Sequence, residues 1–300
     1  MKKYIFILLC NIIFSQTFSD LSYVGAKSMG MAGAVVSDID NKETIFYNPA
    51  GLVKSDDFSV IMGTTNLYDL KFIKHQFVSV IFPNKIALSF QKIGTNSKGD
   101  FGDSHPSGIK LSKEKLITIS QSFNLLNDSN SSLSIGYNVN SFIHYQGGSA
   151  GPDGNGVGGL PASESTAIGI DLGVFASLRN KINFGAFVKN INNPTIKKAS
   201  SQSHFPRRID LGLTYNPFND LLTTFQLERI LGEDRSSFKF GIEYSLTNSF
   251  TIRSGIQMNP NRFGFGVSYE LNKIELSYSL ITHSVLSKSS IFSLRYDFEE

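Results

Sequence analysis

From Asp57 onward the chain alternates between apolar and polar positions with a period of two, the period of a β-strand with two unlike faces. One face reads Ile182, Phe184, Ala186, Val188; Ile209, Leu211, Leu213, Tyr215; Phe238, Phe240, Ile242, Tyr244; Phe263, Phe265, Val267, Tyr269; and Phe292, Leu294, Tyr296, Phe298. The other carries glycine, serine and charges of both signs. The pattern predicts fourteen strands, over residues 57–66, 73–83, 85–94, 115–125, 131–146, 165–178, 181–192, 207–216, 221–231, 236–246, 249–258, 262–271, 273–283 and 289–298. Their lengths suit tilted membrane strands, which need roughly 9–11 residues. A soluble sandwich also alternates. A large, aromatic face opposed to a small and charged one suits lipid outside and a lumen inside.

Connection lengths separate these alternatives. Counted from the first strand, the odd connections include three long ones, residues 95–114, 147–164 and 193–206. The even connections are short, and three share the dipeptide Asn-Lys: Asn84-Lys85, Asn180-Lys181 and Asn272-Lys273. Asparagine tolerates the left-handed backbone that two-residue hairpins require. Long loops on one side and tight turns on the other are the asymmetry of an outer-membrane barrel. The expected fold is therefore all-β: a 14-stranded antiparallel transmembrane β-barrel over residues 57–300, with long loops to the cell surface and short turns to the periplasm.

Residues 1–19 read as a secretory signal peptide, with Lys2 and Lys3 before the apolar run Tyr4 to Phe14. That run is too short to span a bilayer. The only cysteine, Cys10, falls within it, so the exported chain has no disulfide and no thiolate metal site. Without Lys2 and Lys3, 26 basic residues face 25 acidic ones. Such a balance argues against nucleic acid as a partner.

Residues 20–56 differ from the rest. Ser28 to Val36 lacks alternation and carries Gly30 and Gly33. Asn48-Pro49-Ala50-Gly51 can open a short helix, with Asn48 as cap and Pro49 at its first position. The segment is expected to be a short, partly helical hatch inside the barrel. The charges on the small-residue face are expected to brace the lumen and hold that hatch: Asp171, Arg208, Asp210, Glu228, Lys239, Glu243, Arg253, Glu270, Glu275, Arg295 and Asp297.

The stretch Gly25 to Leu52 resembles the N-terminal signature of FadL-like outer-membrane proteins, and more closely that of the PorV/PorQ branch. The residues that carry the resemblance are Gly25, Ala26, Ser28, Gly30, Met31, Gly33 and Ala34, then Tyr47, Asn48, Pro49, Ala50, Gly51 and Leu52. FadL relatives imply passage of hydrophobic compounds. The PorV/PorQ branch implies a non-enzymatic barrel that serves type IX secretion, with exported proteins or translocon parts as partners. A hydrophobic-compound channel should show an apolar capture site near its long loops. Loops 95–114 and 147–164 are dominated by Gly, Ser, Lys and Asp, and Ile109, Leu111, Val157 and Leu160 make a meagre greasy surface. The expectation is accordingly a secretion-associated barrel embedded in outer-membrane lipid, binding its partners through those two loops, with a FadL-like channel as the alternative.

No catalytic residue, metal or cofactor is expected. His75, His105, His144, His204 and His283 lack metal-ligand spacing. The pairs Ser104-His105, Ser203-His204 and His283-Ser284 have no evident acid partner. Gly147 to Gly159 lacks the ending of a phosphate loop and reads as a flexible surface loop.

Overall fold

The computed structural model describes residues 23–97, 109–149, 158–179, 181–198, 201–234 and 236–298. The signal sequence, His105 and most of the Gly-rich loop lie outside the described residues.

Fourteen strands close into one antiparallel barrel. In chain order they are β1 Phe58–Asn66, β2 Ile73–Phe82, β3 Ile86–Ser97, β4 Ile109–Asn127, β5 Ser131–Gln146, β6 Ser163–Leu178, β7 Ile182–Lys189, β10 Arg208–Phe218, β11 Leu221–Ile230, β12 Ser236–Thr247, β13 Phe250–Met258, β14 Arg262–Leu271, β15 Ile274–Ile281 and β16 Ser289–Phe298. Each pairs with its neighbours in sequence, and β1 closes on β16 from Phe58↔Phe298 to Asn66↔Ser290. The remaining two, β8 Thr195–Lys198 and β9 Ser201–His204, form a separate hairpin inside the third long loop, which the sequence had left featureless. Two further expectations need correcting. Strands β3 and β4 run well into the expected loop 95–114, pairing as far as Ser97↔Ile109.

The turns also differ. Only Asn272-Lys273 is a two-residue turn with its asparagine left-handed, at φ 54°. At the first Asn-Lys the ladder stops at Phe82↔Ile86, and the left-handed residue is Lys85. Pro83 is the cause: its fixed φ suits the second position of a type I turn, which lengthens the loop to three residues. At the next, Leu178↔Ile182 brackets the turn, Arg179 is left-handed, and Asn180 lies outside the described residues.

The alternation sorts the faces as the sequence pattern requires. Phe238, Phe240, Ile242 and Tyr244 face outward, whereas Lys239 and Gly241 between them are buried. Aromatic rings gather outside the short-turn end, where Phe58 lies 5.0 Å from Phe298 and 5.4 Å from Phe82. The wall is uneven. Strands β4, β5 and β6 have 19, 16 and 16 residues, but β7 has only 8. Beyond Leu172, β6 loses β7 as a partner. Asn192 takes its place there, accepting from Ile170 N and donating to Ile168 O.

Inside sits the segment from Tyr23 to Ser55, with α1 (Ala26–Gly30) and two 3-10 turns, Thr44–Phe46 and Pro49–Lys54. Its Tyr23, Val24, Ala26, Met29, Ala32, Ile45 and Leu52 form one core with Ile61, Phe77, Ile81, Ala87, Ile281 and Ile291 of the wall. Most of its residues are buried, which is unusual for irregular backbone.

Candidate functional site in the lumen

A buried irregular segment needs partners for its backbone N–H and C=O groups. The polar face of the strands provides them. Gln226 accepts from both Val35 N and Val36 N, at 3.0 and 3.1 Å. Ser279 donates to Ala26 O, Ser134 to Ala50 O and Asn138 to Ile45 O. These neutral partners were missed because the sequence reading weighed charges. Their signal was the Ser, Asn and Gln in the polar row. Lumen glycines let the segment come close. A side chain on Gly255 or Gly264 would strike the backbone of Met31 or Met29, and one on Gly173 would strike Asn48.

The two halves of the signature meet. The hydroxyl of Tyr47 donates to Ser28 Oγ at 2.6 Å and accepts from Val24 N at 2.6 Å. Asn48 caps its 3-10 turn by accepting from Ala50 N, and its amide donates to Val36 O at 2.9 Å and to Val174 O of β6 at 3.0 Å. Pro49 follows it at the first position. Gly51 leaves room for Thr44, and Gly25, at φ 99°, leaves room for Glu43. Glu43 was not foreseen. Its carboxylate accepts from Lys27 N and Ser28 N, both at 3.1 Å, and burial pushes its pKa up to about 7 against those two N–H groups. Gly30 lies beside Gly266 and Ser279, and Gly33 beside Tyr23 and Lys239.

The eleven predicted lumen charges form three groups. Toward the short-turn end, Lys27 of the segment bridges Asp38 at 2.7 Å and Glu243 at 3.1 Å. Glu243 pairs with Arg253, Arg253 with Glu275, and Glu275 with Arg295 at 2.5 Å. Arg295 also reaches Asp297 at 3.0 Å and Glu270, which stands exposed at the rim. Burial disfavours the Lys27 charge, but Asp38 and Glu243 outweigh it and hold the ammonium above the ordinary lysine range. Toward the long-loop end, Arg208 pairs with Asp210 at 2.9 Å and Lys239 with Glu228 at 2.7 Å. Asp171 stands apart from both. It takes hydrogen bonds from the side chains of Asn138 and Asn140 and from Asn190 N.

Two cavities flank the segment. One of about 280 Å³ opens toward the short turns and is lined by Lys27, Glu43, Arg253, Glu270, Glu275 and Arg295 among other mostly polar residues. A smaller one of about 40 Å³ lies on the other side, with Val24, Ile45, Phe46, Ile93 and Leu116 among its lining and polar groups including Gln91, Glu114, Asn140, Asp171 and Lys189 making up much of the rest. Leu116 also belongs to a cluster with Phe142, Ala167, Ile196 and Phe205. The first three point into the lumen from β4, β5 and β6. Ile196 lies in β8 and Phe205 directly follows β9, and the Phe205 ring stacks on Phe142 at 4.3 Å and 22°. The apolar mouth thus comes from the strand faces and the third loop. Leu111 and Leu160 are exposed instead, and the side chains of Ile109 and Val157 lie outside the described residues.

The histidines are dispersed. His75 lies buried in β2, 3.3 Å from Thr65 Oγ1, and His144 lies 3.6 Å from Glu114. His204 sits on the hairpin and His283 in the loop before β16.

No protein-family model matches the chain, and no characterised protein matches it in sequence. Solved structures do match in fold. The monoaromatic hydrocarbon channel CymD superposes with a TM-score of 0.62 at 14% identity, over 94% of this chain and 99% of that one. The toluene transporter TbuX of Ralstonia pickettii gives 0.57 at 12%, over 93% and 100%. A FadL homologue of Pseudomonas aeruginosa gives 0.55 at 13%, over 92% and 98%. The fold is that of FadL-type barrels. These comparisons overturn the secretion reading: the similar structures include a monoaromatic hydrocarbon channel, a toluene transporter and a FadL homologue, and a kinship to PorV/PorQ or to type IX partners finds no support among them. The apolar residues at the long-loop end are gathered in this buried cluster and not in the exposed parts of loops 95–114 and 147–164.

Proposed function

We propose that the protein is a FadL-like outer-membrane channel that admits hydrophobic small molecules from the long-loop side, which faces the cell surface, while its short turns face the periplasm. The observation that carries this reading is the buried apolar cluster at the long-loop mouth, where Leu116, Phe142, Ala167, Ile196 and Phe205 pack together above the core that the hatch shares with the wall. Leu116 also lines the small cavity beneath, where Val24, Ile45 and Phe46 of the hatch meet polar groups that include Glu114, Asp171 and Lys189. Apolar solutes partition onto such a surface, and polar ones gain nothing from it. Its similarity in fold to hydrocarbon channels agrees with this direction of preference.

The hatch lies in the barrel between the long-loop mouth and the cavity on the short-turn side, so passage requires it to shift or to be bypassed. The test is uptake by cells that carry the protein in their outer membrane, compared with cells that lack it. Toluene entry is expected to rise while entry of a sugar of similar size does not. Equal toluene entry in both strains would refute the channel.

A further inference from the structure

Within that reading, we infer that Phe205 is an internal stand-in for the ligand: the mouth is a slot for one planar aromatic ring, and an incoming ring takes the place of Phe205 on the face of Phe142.

The two rings have unlike footing. Phe142 belongs to a paired stretch of β5, where it faces Ala167 of β6. Its ring lies over Gly169, at which even a methyl group would come within 2.7 Å of it. The wall is recessed there to seat a flat ring, so Phe142 is a fixed platform. Phe205 follows the end of β9, in a two-stranded sheet that is not part of the barrel ladder. Its backbone bonds to Pro194 O of the same loop, and the foot of that loop is tied to the barrel by Asn190, which donates to Pro206 O. What covers the platform is therefore a ring on a locally closed hairpin, able to leave without breaking the barrel ladder.

The chemistry of the slot follows from its walls. The Phe142 face accepts an offset stacked ring, an arrangement worth more than burial alone. Leu116, Ala167 and Ile196 close the sides with aliphatic groups, and the one polar atom at the Gly169 recess is the buried Asn190 Oδ1, an acceptor to which an aromatic C–H edge can turn. Without ligand, an uncovered Phe142 would face water, and Phe205 prevents that at the expense of competing with the ligand.

The sequence contains no tryptophan, so Phe205→Trp in the full-length protein gives a single reporter. In detergent, its emission is expected to be blue and poorly quenched by acrylamide. Toluene should shift it to the red and raise quenching about twofold or more, saturably. Phe142→Leu, which keeps apolar bulk but removes the platform ring from reporter and ligand alike, should shift the toluene-free emission to the red and raise its quenching in the same background. Heat-modifiable migration checks that each variant has folded. Emission unmoved by toluene in a variant that still admits toluene into cells would overturn the displacement and leave the channel standing. Parental toluene-free emission in Phe142→Leu would overturn the aromatic slot. Failure of toluene uptake in the parent protein, with no shift in the reporter, would remove both readings.

Discussion

Glu43 shows how one side chain can set the firmness of the hatch. It replaces missing helix partners by accepting from Lys27 N and Ser28 N, but does so where burial opposes its charge. In the unfolded chain it ionises near 4.5, and in the folded hatch near 7. The folded form therefore binds the proton more tightly. Its contribution is complete below about pH 4.5 and is lost as pH rises to about 7, at most about 3 kcal/mol. Hydrogen exchange of the α1 amides, corrected for intrinsic rates, should show a firmer hatch at pH 5 than at pH 8. Glu43→Gln, neutral throughout, should flatten that dependence. Asn48 is the complementary case, with no titration and three bonds from one amide. Asn48→Ala removes the cap and the ties to Val36 O and Val174 O, at about 2 kcal/mol of local stability. Exchange at Ala50 to Lys54 should quicken while the strand amides stay protected. The cap was legible from Asn-Pro-Ala-Gly. Glu43 was not, because its partners are backbone groups that only the fold brings near.

At the scale of elements, the period-two pattern was enough to place the strands, since a slip of one residue would turn every outward Phe and Tyr into the lumen. It was less informative where the lumen breaks its own rule. Phe142 interrupts the polar row Asn138, Asn140, His144 on β5, a signal visible in sequence and passed over. Ile196 and Phe205 had no such signal, because a loop has no period to violate. The fit between α1 and β13–β14 was equally hidden, although the glycines were visible. Gly255 and Gly264 are the points where the backbone at Met29 and Met31 touches the wall. Gly255→Leu should lift the hatch from that wall without disturbing strand pairing, because the added side chain points inward. In planar bilayers this variant should conduct ions at least several-fold more than the parent, with unchanged heat-modifiable migration. Parental conductance would mean that the hatch does not seal the lumen at β13.

For the whole molecule, the hatch and the barrel divide the labour unequally. Closure of the barrel rests on ladders that run entirely through the fourteen strands, with β1 paired to β16 along its whole length. The hatch adds a shared core and a set of hydrogen bonds, but no strand. A chain lacking residues 23–55 should therefore still close, and still insert with its aromatic outer face in lipid. Its lumen would then contain charges without their hatch partner: Glu243 would lose Lys27, while its bond to Arg253 would remain. Because seven of the eleven lumen charges are acidic and four are basic, the opened pore should pass cations in preference to anions. It should also lose the preference for apolar solutes, since a wide polar passage now runs beside the greasy mouth. The measurement is reversal potential in a salt gradient together with relative entry of toluene and a sugar. A deleted form that stays closed to ions would show that the wall collapses inward to replace the hatch. A deleted form that fails to insert would show that the hatch is needed to assemble the barrel, a role that neither its position nor its hydrogen bonds require.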